Sequence, residues 1–135
     1  MSADDLLPIA SLTVPSDPGY LSVCRQALVG ATDGLPIPDD DLDDLKLVLS
    51  ETCANVIVHA YGSTGQGQIE IEFRGSPREI EVTVADRGPG FPGGRVPDIP
   101  GAGLSLLARL CNRHSIEPSR PGGGAAVTFA RSIIS

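Results

Sequence analysis

Basic residues are scarce: the 135-residue chain has 10 lysines and arginines against 17 aspartates and glutamates, a formal net charge of -7. Binding through nucleic-acid phosphates needs a stripe of Lys and Arg, so no direct nucleic-acid partner is expected. Cysteines are equally few. Cys24, Cys53 and Cys111 are odd in number, lack any CxxC spacing and lie in apolar helical segments, which favours buried reduced thiols over disulfides or metal ligation. No run approaches the roughly 18 apolar residues of a membrane span, and the first residues, MSADDLLPIASLTVP, begin acidic rather than basic. A cytoplasmic location is expected. Internal repeats and low-complexity tails are also missing, and 41% apolar with 20% charged residues is the balance of a globular chain. The length suits one domain, residues 1–135, with no room for a second of ordinary size.

The pattern that is present alternates strand and helix signals. Ile9 to Val14 reads as a first strand, and Pro15, Asp17, Pro18 and Gly19 as a turn leading into a helix from about Tyr20 to Val29. After the loop GATDGLPIP, a second helix begins at Asp39, Asp40, Asp41, Asp43 and Asp44 and runs to about Ala60. That acidic run suits the positive end of a helix dipole. Gln68 to Arg74 and Ile80 to Asp86 alternate apolar and polar residues and read as an antiparallel pair joined at Gly75, Ser76 and Pro77. A loop from Arg87 to Gly103, a short helix LSLLARLCNRH and strands at Ser115 to Pro118 and Ala126 to Ile133 complete the chain. The expected fold class is α+β: two layers, with helices on one face of a mixed, mainly antiparallel sheet.

Three segments carry candidate chemistry. Glu51 and Asn55 are four apart on the second helix and point within about 40° of one another, opposite Leu45, Leu49, Val56 and Ala60. A carboxylate beside an amide oxygen can orient a hydroxyl while a hard cation is held by oxygen, although the same spacing also makes an ordinary solvated face. Asp86 shares a strand face with Ile80, Val82 and Val84, so a carboxylate is aimed toward the apolar side. There it can accept a hydrogen bond from an adenine amine, with Gly88 and Gly90 allowing close backbone approach to a flat ligand; a plain DxGxG hairpin turn is the alternative. Gly101-Ala102-Gly103 precedes the third helix, where unpaired N–H groups suit an anion.

Taken in order, these segments resemble the N box, G1 box and G2 box of the GHKL superfamily, with Phe91 to Pro100 as a short ATP lid. The likeness covers roughly Leu42 to Phe129. Its wording, SETCANVIVHAY and EVTVADRGPGF, is most similar to small anti-sigma-factor serine/threonine kinases. The resemblance implies a Bergerat-type α/β sandwich that binds ATP and Mg²⁺. It implies Glu51 as catalytic base or water-orienting group, Asn55 as Mg²⁺ ligand and Asp86 on the adenine amine. Gly88 and Gly90 would shape the base pocket, and Gly101, Gly103 and the Leu104 backbone would meet phosphates. One departure stands out: relatives commonly carry Gly-Thr before the last strand, and Gly124-Ala125 stands here. The loss of that hydroxyl weakens nucleotide affinity unless Thr128 or an ordered water replaces it.

The implied activity is an ATP-dependent serine/threonine protein kinase and anti-sigma factor in a partner-switching module. Its implied partners are a sigma factor and an anti-anti-sigma (STAS-type) protein, with the first helix around Cys24, Arg25 and Gln26 as a candidate partner or homodimer surface. The alternative is a non-catalytic nucleotide-binding regulator that sequesters a sigma factor; an ATPase fragment of chaperone or topoisomerase type would need further transducing domains. His59 and His114 read as favourable charges at helix C-termini, and Tyr61 and Phe91 as packing residues.

Overall fold

The computed structural model describes residues 6–61, 67–86, 102–117 and 126–133. Strand β1 (Leu7–Pro15) leads through a 3-10 turn (Pro18–Tyr20) into helices α1 (Leu21–Thr32) and α2 (Asp39–Tyr61). Strands β2 (Gln68–Ser76) and β3 (Glu79–Asp86), helix α3 (Ala102–Leu110) and strands β4 (Arg113–Glu117) and β5 (Ala126–Ser132) follow. The five strands form one sheet in the order β1-β2-β3-β5-β4. All four described pairings are antiparallel, so the mixed component expected from sequence has no counterpart among the described residues.

Local chemistry accounts for the turns and for where the expected boundaries move. The Asp17 carboxylate accepts from the Gly19 backbone N–H at 2.8 Å and caps the 3-10 turn, whose Pro18 is preset for that position. Helix α1 runs past Gly30 to Thr32, whose hydroxyl donates back to the Leu28 carbonyl at 2.9 Å. Gly75 and Ser76 belong to β2, leaving Pro77 and Arg78 as the turn, with the Arg78 N–H donating to Ser76 Oγ at 3.1 Å. A Cβ on Gly75 would lie 2.8 Å from Ile9 Cδ1 and 3.1 Å from Leu35 Cδ1, so this position is kept small by close approach. Helix α3 stops at Leu110 rather than His114, because the Asn112 N–H turns to the Ala130 carbonyl and its side chain accepts from the Ser132 N–H. His114 therefore lies in β4, exposed and opposite Phe129, and not at a helix C-terminus.

One face of the sheet carries the core. Ile69, Ile71, Phe73, Ile80, Val82, Val84, Val127 and Phe129 meet Leu28 of α1, Leu45, Val48, Leu49 and Val56 of α2, and Leu107 of α3. Each such side chain contributes about 1.5–3 kcal/mol by leaving water. The opposite face is polar: Thr83 and Thr128 share a 3.0 Å hydroxyl contact, and Arg113 pairs with Glu79 and Glu81.

The described residues include no helix long and apolar enough to cross a membrane.

Candidate functional site

The direction of α2 decides what can meet at the sheet end. Arg131, near the end of β5, donates to Asp44 Oδ2 at 2.7 Å and Asp41 Oδ1 at 2.6 Å, pinning the start of α2 where β3 begins, since Arg131 pairs with Ile80. From there β3 climbs about 3.4 Å per residue, which sets Asp86 roughly 20 Å away. Helix α2 climbs about 1.5 Å per residue, so Glu51 and Asn55 lie about 10 and 16 Å along the helix from Asp44.

At the end of β3 Asp86 is 1% exposed, on the helix-facing side with Val82 and Val84, as the alternation predicts. Glu51 and Asn55 are half-buried, while Thr52, Cys53 and Val56 between and beside them are buried. The two polar residues thus occupy the water-accessible side of a helix whose other side is core. An amide oxygen there is a hard donor suited to Mg²⁺, which takes one or two protein oxygens and completes its shell with water and phosphate. Among the described residues, no three His, Cys, Asp or Glu side chains group to hold a metal by themselves.

Gly103 and Leu104 fall inside α3, which starts at Ala102 and not after Gly103. Both remain in the first turn, where backbone N–H groups have no intrahelical acceptor. Gly88, Gly90, Gly101 and the Gly124-Ala125 pair lie outside the described residues. Thr128 does not join the group. Its hydroxyl meets Thr83, and Thr83 alternates with Val82 and Val84, so Thr128 sits on the polar face of the sheet while Asp86 faces the helices. The expectation that Thr128 replaces the missing threonine hydroxyl is therefore corrected by strand parity.

Three features escaped sequence reasoning. Arg25 reaches from α1 to Ser50, next to Glu51, with Nη1 to Oγ at 3.3 Å. Behind Glu51 and Asn55, the Cys53 thiol donates to Cys24 of α1; this contact lowers the Cys24 pKa and raises that of Cys53. The acidic start of α2 also does more than favour a helix dipole, since Asp41 and Asp44 hold Arg131. Asp41, Arg109, Leu110, Cys111, Asn112, Arg131 and Ser132 line a cavity of about 230 Å³ at that end, remote from Asp86.

A family model described as the histidine kinase-like ATPase domain matches residues 14–130. The serine-protein kinase RsbW of Bacillus velezensis is 34% identical over 80 residues, covering 59% of this chain and 50% of that protein. RsbW of Bacillus subtilis is 35% identical over 80 residues, with the same coverage of 59% and 50%. The chain thus spans about half the length of the curated relatives it matches. Among solved structures, the RsbU and RsbW domains of a Mycobacterium tuberculosis protein superpose with a TM-score of 0.66 at 19% identity, over 91% of this chain and 32% of that one. The SiaB-SiaC complex from Pseudomonas aeruginosa gives a TM-score of 0.60 at 16% identity, over 93% of this chain and 91% of that one. At these identities the structural likeness concerns the fold.

Proposed function

Since the chain belongs to the histidine kinase-like ATPase family, we propose that it is an ATP-dependent serine/threonine protein kinase of the anti-sigma type, acting on an anti-anti-sigma protein of STAS type and binding a sigma factor. The supporting observation is the buried Asp86 on the helix-facing side of β3. Likeness in sequence to serine-protein kinases supports the activity.

In this reading the Asp86 carboxylate accepts from the exocyclic amine of adenine, a contact that selects the base. The Asn55 amide oxygen would hold Mg²⁺. Glu51, one turn earlier on the same side, accepts the proton of the attacking serine or threonine hydroxyl, or orients a water in its place. Backbone N–H groups of Gly101, Gly103 and Leu104 donate to phosphate oxygens, and Gly88 and Gly90 let the chain lie close to the base. When bound, ATP supplies the phosphoryl group and Mg²⁺ the charge neutralisation; the protein contributes positioning and one proton acceptor.

A second reading is a regulator that binds nucleotide and partner without phosphoryl transfer. Ala125 in place of threonine favours it, as does the placement of Thr128 on the opposite face of the sheet.

Calorimetric titration with ATP, with and without Mg²⁺, separates the possibilities when joined to a transfer assay using labelled phosphate and an anti-anti-sigma protein. Magnesium-dependent binding that is lost in Asn55→Ala and Asp86→Asn is the expected result. Glu51→Ala is expected to keep binding and abolish transfer. Transfer at the normal rate in that variant removes Glu51 from the mechanism; complex formation without any transfer by the wild type establishes the regulator instead.

A further inference from the structure

Beside the tether that holds the start of α2 to β5, the end of α3, the segment leading into β4 and the end of β5 enclose a cavity of about 230 Å³. It lies at the opposite end of β3 from Asp86, because Arg131 pairs with Ile80, at the start of that strand, and Asp86 ends it. Three residues on its wall keep donors with no acceptor among the described residues: the exposed Arg109 guanidinium, the Asn112 amide nitrogen and the Ser132 hydroxyl. The Asn112 amide oxygen already accepts from the Ser132 N–H at 2.6 Å, so the nitrogen is the free end of that amide.

The acceptors around them are engaged. Asp41 Oδ1 accepts from Arg131 at 2.6 Å, the Leu110 carbonyl from Arg131 at 3.3 Å, and the Leu107 carbonyl from the Cys111 N–H at 3.1 Å. Two carbonyls that would repel an anion at the end of α3 are thereby covered by donors. Arg131 is itself neutralised by Asp41 and Asp44, which leaves Arg109, in the last turn of α3, as the cation with no acid of its own among the described residues.

We infer that this cavity is a binding site for a small oxyanion, of phosphate or carboxylate type, held by Arg109 together with Asn112 and Ser132. A guanidinium offers two parallel N–H groups to two oxygens of such an ion, and the amide and the hydroxyl donate to the lone pairs that remain. Size limits the class. A water takes about 30 Å³ and pockets for drug-sized ligands begin at about 300 Å³, so this cavity suits an ion of a few heavy atoms and excludes a nucleotide. The net charge of -7 and the exposure of Arg109 make the binding weak and salt-sensitive. The inference does not depend on the nucleotide reading, since the cavity shares no residue with the site proposed above.

Titration of the nucleotide-free chain with inorganic phosphate, and separately with malonate, tests it by amide chemical shifts at an ionic strength matched with sodium chloride. The expected result is a saturable shift at Arg109, Cys111, Asn112 and Ser132, half-complete at about 1 mM. Cys111 gives a second local readout: its alkylation by iodoacetamide, followed by peptide mapping, should slow over the same range as the ion fills the cavity that the residue borders. Arg109→Gln, at an exposed position without a partner, should keep the thermal midpoint and weaken the binding about 10–100-fold. Saturation by only one of the two probes identifies the ion as phosphate or carboxylate. Saturation by neither overturns the site. Shifts that rise without saturating, spread to Lys46, Arg74 and Arg78, or persist unchanged in Arg109→Gln overturn it equally, since they report general screening of surface charge.

Discussion

In the proposed site, replacing the Asp86 carboxylate by the amide of Asn preserves size and turns one acceptor oxygen into a donor nitrogen that cannot accept from an adenine amine. A hydrogen bond to a charged group contributes about 1.5–3 kcal/mol, so Asp86→Asn should weaken ATP binding by roughly 10–100-fold in a calorimetric titration. Affinity within a factor of two of wild type would show that Asp86 is not the base contact. Thr128→Val makes the opposite forecast. Since its hydroxyl meets Thr83 on the polar face, nucleotide affinity should not change, and stability should fall by no more than about 1 kcal/mol in urea unfolding. A binding defect there would return Thr128 to the pocket. Cys111 supplies the pH dependence. Burial pushes its thiol up from 9.0 to about 11, so the folded state retains a proton that the unfolded chain releases between those values. The stability this contributes is fully present below pH 9 and is lost as pH rises toward 11. Cys111→Ala should therefore show a shallower alkaline loss of the thermal midpoint than wild type.

Among the elements, legibility followed the length and regularity of the pattern. Strands β2 and β3 were readable because Ile69, Ile71 and Phe73, and Ile80, Val82 and Val84, alternate strictly and are all buried. The same parity carried Asp86 to the correct face. The end of α3 was not readable: Arg113 and His114 continue an acceptable helical composition, and the contacts that end the helix come from Ala130 and Ser132, distant in sequence. Thr128 was misplaced for a related reason, since its facing depends on its register with Thr83 rather than on its neighbours along the chain. In the acidic start of α2, composition gave the dipole and could not give Arg131. Breaking that tether is a test at this scale. With Arg131 19% exposed and its partners Asp41 and Asp44 21% and 39% exposed, screening discounts the pair, and Arg131→Met should cost about 1–3 kcal/mol in chemical denaturation. No change in the midpoint would mean that the core alone holds the start of α2.

For the whole molecule, the two layers divide the work. The core lies between α1, α2, α3 and one face of the sheet, which leaves polar groups to the other face and to the ends. Of the proposed site residues, Asp86 is contributed by the sheet and Glu51 and Asn55 by the helix layer, and Arg131 ties the start of α2 to β5. The strand order adds a consequence for biogenesis. Of the five described strands β5 is translated after the other four, yet it is inserted between β3 and β4. Until it emerges from the ribosome, the inner edge of β3 stands open and β4 has no strand to join, so a nascent chain halted before residue 126 offers a sticky edge to chaperones. The described sheet closes from its middle, and β5 acts as a keystone.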